Sequence, residues 1–204
     1  MAEQLFPFLT ASILLTLAPG PDIIYVLVQS ISNGKKQGIF TSLGLVSGII
    51  VHTSLVAFGI SALIAASENL FFIIKLFGAC YLFYLAFQVF KSDAKVAFSS
   101  EGVPNKTGWE LFKQGFVMNV LNPKVTIFFL AFFPGFLWDS EGNTVYQFYL
   151  LGFLFMLQAL LIFATVSFLA GKISTYLKNH PNSGTVMKWT QILVFIGIGI
   201  FILL

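Results

Sequence analysis

The 204-residue chain is 57% hydrophobic and only 9% charged, with a formal net charge of +3 and a mean hydropathy of +0.90. A soluble domain carries about a quarter charged residues, so this composition excludes a water-soluble globule and puts the chain in a bilayer. All 11 basic residues are lysines, which removes the arginine forks used to read phosphates and bases and argues against a nucleic-acid partner.

A crossing takes about 20 apolar residues, which predicts an all-α membrane protein with spans near 5–32, 38–64, 70–90, 113–137, 145–170 and 186–204. The N-terminus opens Met-Ala-Glu without a basic residue, so the first run reads as a retained span rather than a cleaved leader. Inside it, "LTLAPGPDIIYVL" places Pro19, Gly20, Pro21 and Asp22 among apolar residues. Span two carries a small-residue face, Thr41, Gly44, Ser47 and Gly48, suited to close helix packing, with His52 one turn further on. Span three holds Tyr81, Tyr84 and the single cysteine, Cys80. A lone apolar-segment cysteine reads as a small buried packing residue, and it excludes an intrachain disulfide. Span four contains "NVLNPKV", with Asn119, Asn122, Pro123 and Lys124. Span five has Gly152 and Gln158, and span six has Gly197 and Gly199, a candidate helix-contact or homodimer face. Trp109, Trp138 and Trp189 fall near span ends, where an interfacial aromatic belt accounts for them.

Lysines set the expected orientation. Lys35, Lys36, Lys91, Lys95, Lys106, Lys113, Lys172, Lys178 and Lys188 flank the connections after spans one, three and five, whereas those after spans two and four carry Glu68, Asp139 and Glu141. The positive-inside rule makes the lysine-rich side cytoplasmic and puts both termini on the outer side. The longest connection, about 91–112, divides the single domain 1–204 into repeat one, about 1–95, and repeat two, about 113–204. Three spans per half invert the second half relative to the first, the layout of many secondary transporters.

The halves carry matching interruptions. Pro21 followed by Asp22 and Pro123 followed by Lys124 should each stop and restart a helix, and the rise of about 1.5 Å per residue puts both near the midplane. A charge at that depth costs about 2.5–3.5 kcal/mol on insertion scales unless paired or wetted. Asp22 and Lys124 have opposite signs at equivalent places, so they are read as facing one cavity, paired with each other or with the two ends of a zwitterion. Asp22 is also a candidate proton carrier. The alternative is structural: proline kinks are tolerated in spans, and the pair can lock two helices together. His52, Gln158 and Tyr81 are candidate cavity or relay residues, against the plainer reading of packing and interhelical hydrogen bonds.

These residues resemble those of a family. "APGPD" (Ala18 to Asp22), "NVLNPKV" (Asn119 to Val125) and the Gly-Ala-x-Tyr-Leu pattern in "KLFGACYLFYLAFQVFKS" (Lys75 to Ser92) are similar to the lysine-exporter/homoserine–threonine-resistance (LysE/RhtB) group of bacterial amino-acid exporters. The resemblance implies a six-span inner-membrane exporter of amino acids or related compounds driven by the proton gradient, without a cofactor. It assigns the substrate or ion site to Pro19, Gly20, Pro21, Asp22, Asn119, Asn122, Pro123 and Lys124. An ion or metal-ion transporter is the competing reading, though one cysteine and few carboxylates supply it poorly with ligands. No intramembrane catalytic motif points to an enzyme.

Overall fold

The structure, a computed structural model, describes residues 2–60, 68–93, 103–104, 106–139, 142–180 and 182–203. The end of the expected second span (61–64), Glu141 and, within the 91–112 connection, residues 94–102 (Lys95 among them) and 105 lie outside them.

The described residues are helical and contain no strand. Helix α1 (Ala2–Leu17) meets α2 (Pro21–Asn33) at a 54° bend. Gly34 then turns the chain at φ 89°, a left-handed conformation open to glycine, so α3 (Lys35–Leu55) begins at once and runs on into a π-helical turn, Val56–Ile60. Helix α4 (Glu68–Lys91) follows. Helix α5 (Gly108–Val120) starts from a reciprocal cap between Thr107 and Glu110. It meets the short α6 (Pro123–Ile127), which runs on through a π-helical turn, Phe128–Phe132, and a 3-10 turn, Phe133–Phe136; the bend here is 48°. Helices α7 (Thr144–Asn179) and α8 (Ser183–Leu203) complete the chain.

Among the described residues four helices are each long and apolar enough to cross a membrane, and two bent pairs bring the number to six if each pair is one crossing. The expected boundaries hold within a few residues except in span five. There α7 runs 36 residues, about 54 Å at the helical rise, so most of the polar "GKISTYLKNHPNSG" stretch continues the helix rather than forming a loop.

Packing follows residue size. Helices α3 and α5 touch backbone to backbone: a Cβ added at Gly44 would lie 2.0 Å from the Phe112 carbonyl oxygen, and one at Gly115 2.5 Å from that of Thr41. Helix α3 also packs on α2 and α7, and α4 pairs with α8. There Gly199 meets Phe83 at 2.7 Å from its would-be Cβ, which makes it a contact within the chain rather than a dimer face. Phenylalanines fill the core beyond the second bend, with Phe129 and Phe133 stacked at 4.2 Å and Phe8 edge-on to Phe133 at 5.3 Å. Cys80 corrects its sequence reading, since it is exposed on α4. Lipid is as apolar as a protein core, so an apolar residue gains little from choosing one over the other.

Candidate functional site

The two bends meet. In the first, Ala18 closes α1 through its amide to the Leu14 carbonyl at 2.9 Å, and Gly20 precedes α2 in an extended conformation, φ −155° and ψ 175°. Any residue can adopt that backbone, so the glycine answers a need for space: a Cβ there would lie 2.8 Å from Asp22 Oδ1 and 3.2 Å from Lys124 Nζ. Pro21 takes the first helical position of α2, whose start has no side-chain cap. In the second bend the Asn122 side chain accepts from the Lys124 amide at 3.0 Å, with Pro123 first in α6. Both restarts thus use proline where its missing N–H costs nothing.

Lys124 joins the bends. Its ammonium donates to the Ala18 carbonyl at 3.1 Å and lies 3.8 Å from Asp22 Oδ1, with both side chains almost fully buried. The arrangement suits the backbone dipoles, since the cation sits at the C-terminal end of α1 and the carboxylate in the first turn of α2. Asn119, in the last turn of α5, is buried. Its carbonyl takes the Asn122 amide at 2.9 Å and stands 3.0 Å from His52 Nε2, which makes that nitrogen the donor. The His52 ring also lies 5.6 Å from that of Phe129.

A cavity of about 10 Å³ sits between the bends, lined by Thr16, Asp22, Asn119 and Lys124 among apolar side chains of α1, α3, α6 and α7. Asp22 Oδ1 and Asn119 Oδ1, of two residues lining this cavity, are buried with no hydrogen-bond partner, an expensive state for an acceptor. Beside the cavity, Gln158 Nε2 donates to Thr16 Oγ1 at 3.0 Å, while Gln158 Oε1 is likewise unpartnered. On the other side of Gly20 and Lys124 lies a vestibule of about 300 Å³, which also touches Pro21, Asn122 and Pro123 and extends to Ser92 beyond α4.

Of the residues singled out in the sequence, Gly20, Pro21, Asp22, Asn119, Asn122, Pro123 and Lys124 line one cavity or the other. Pro19, half-buried, lies in the first bend. His52 and Gln158 reach the site through hydrogen bonds to Asn119 and Thr16. Tyr81 is set apart on α4, its ring 6.0 Å from that of exposed Tyr84. Sequence reasoning passed over Thr16, although a hydroxyl in the turn before Pro19 is a legible sign. It also passed over Gln88 and Gln191, which line the vestibule and which no spacing rule connects. Among the described residues no three His, Cys, Asp or Glu side chains converge as a metal site would require.

Comparisons with known proteins agree with a membrane transporter built on this frame. A family model described as LysE type translocator matches residues 13–204. The chain is 30% identical over 209 residues to the protein named uncharacterized membrane protein YrhP of Bacillus subtilis, with 97% of each chain covered. It is 29% identical over 186 residues to the homoserine/homoserine lactone efflux proteins of Salmonella typhimurium and Salmonella typhi, with 91% of this chain and 89% of each relative covered. No solved structure matches it significantly. The matched span takes in both bends, the paired charges, the end of α1 and every later helix, and the chain belongs to the LysE type translocator family.

Proposed function

We propose that the chain is a secondary exporter of amino acids or related small zwitterions across the bacterial inner membrane, with Asp22 and Lys124 as the two poles of its site. The observation that carries this reading is the buried pair joining two interrupted helices, Lys124 Nζ to Asp22 Oδ1 at 3.8 Å. A zwitterion offers the same two charges in one molecule: its ammonium replaces the lysine at Asp22 Oδ1 and Asn119 Oδ1, and its carboxylate takes the released Lys124 ammonium. Both acceptors are without a hydrogen bond, which favours a ligand that donates. Relatives named for homoserine and homoserine lactone efflux support the same substrate class.

The 10 Å³ cavity is too small for an amino acid, so binding needs the bends to part. That requirement suits alternating access between two inverted three-span repeats, about 1–95 and 113–204, rocking around midplane interruptions. Asp22 then carries a proton inward when no substrate holds it, giving antiport. Both termini face outward, as the lysine distribution argues.

Vesicles containing the purified protein, loaded with a panel of amino acids and given an inward proton gradient, test this. Gradient-driven efflux of at least one amino acid is expected, lost in Asp22→Asn while the variant stays in the membrane. Undiminished efflux by Asp22→Asn would remove Asp22 from the mechanism.

A further inference from the structure

The vestibule is not explained by the paired charges alone. Its volume of about 300 Å³ is at the small end of ligand sites. Its floor is Gly20, Asn122 and Lys124, and its walls, from α4 and α8, mix apolar Leu85, Val89 and Phe195 with the uncharged polar Gln88, Ser92 and Gln191. Among the described residues lining it, Lys124 is the one with a charge and none is a carboxylate. At the Ser92 end Lys188 donates to the Ser92 carbonyl at 2.7 Å, adding a second positive charge nearby. Gln88 is held in place by its own donation to the Tyr84 hydroxyl at 2.6 Å.

We propose that this vestibule selects the substrate, and that Gln88 and Gln191 restrict it to amino acids with a small, uncharged polar side chain, or their derivatives, against basic ones. The inference rests on the exporter reading above and adds the substrate class to it. A substrate carboxylate is drawn toward Lys124, which leaves the side chain against the two carboxamides. These can both donate to and accept from a hydroxyl or amide. A lysine or arginine side chain meets no carboxylate among the described lining residues and has to give up its hydration beside two lysines, which is costly.

The test is competition inside one vesicle population, loaded with L-serine, L-threonine, L-homoserine, L-leucine and L-lysine in equal amounts. The hydroxylated amino acids should leave at least about tenfold faster than lysine from vesicles bearing the unaltered full chain. Gln88→Glu and Gln191→Glu, which supply the missing carboxylate, should each shrink that ratio by about tenfold. Gln88→Leu and Gln191→Leu should erode the preference for threonine over leucine. Because both rates come from the same vesicles, loss of folded protein scales them together and leaves the ratio intact. If neither glutamate variant transports, the unaltered ratio and the leucine variants decide. Lysine leaving as fast as threonine from unaltered vesicles overturns the proposal, as do ratios that ignore the substitutions. No amino-acid efflux at all defeats the exporter reading instead.

Discussion

The two bends have nearly the same construction and opposite contents. Each ends one helix and restarts another at a proline, and each bends by about the same angle, 54° and 48°. The first is completed by charge: Lys124 comes from the other half of the chain to the Ala18 carbonyl, beside Asp22. The second is completed by neutral groups, with Asn122 capping α6 and His52 reaching from α3 to the Asn119 carbonyl. A helix end needs its backbone groups satisfied in either case. Neutral groups do that permanently, whereas a charged pair does it in a form that a substrate with both charges can replace. Under the proposed function, the first bend is accordingly the better place for a transported zwitterion, and the second for a fixed support.

That contrast can be broken by substitution. The largest stability change is expected at the charged bend. Asp22→Asn or Lys124→Met leaves one buried charge unpaired and should lower unfolding stability by about 3–5 kcal/mol, read from thermal unfolding in detergent. The double variant should recover most of that loss and still export nothing. Recovered export would show the pair to be a structural lock.

At the neutral bend, His52→Ala removes a hydrogen bond and a buried ring, for a loss of about 1–3 kcal/mol. His52→Gln, which keeps a donor, should retain part of it. A loss equal to that of Lys124→Met would erase the distinction between the bends. Asn122→Ala should cost about 1 kcal/mol through the lost cap, while Asn122→Asp keeps the cap and most of the stability.

The smallest stability change sharpens the comparison most. Gly20→Ala adds a methyl next to the ends of two side chains, Asp22 and Lys124, that can yield, so stability should move by less than about 1 kcal/mol. Efflux should still fall severalfold, because the methyl stands between the vestibule and the pair. Unchanged efflux rates would show that substrate does not pass Gly20.

Much of this was legible in the residues, for identifiable reasons. Proline punctuation and hydropathy placed both interruptions and six apolar stretches, because these depend on local chemistry: a missing N–H, and the cost of polar groups in lipid. Asp22 and Lys124 stood out since charge in such a stretch is rare and expensive. Which face turns inward was legible in α3, where Thr41, Gly44, Gly48 and His52 are buried, and not in α4, which is apolar nearly all round, so no periodicity marks a core side. Cys80 came out exposed, Tyr81 lies away from both cavities, and Gln88 and Gln191 look like ordinary polar residues until α4 and α8 pair.

The sequence by itself determined that the chain lives in a membrane, where its helices break, and which two charges must find partners there. Only the tertiary structure decided that each charge's partner is the other, that Lys124 ends on a carbonyl in the opposite half, and that His52 serves the second bend. The physical reason is range. Helix breaks and insertion costs are set by neighbours along the chain, whereas pairing across about a hundred residues depends on how helices pack, and packing against lipid leaves little trace in hydropathy.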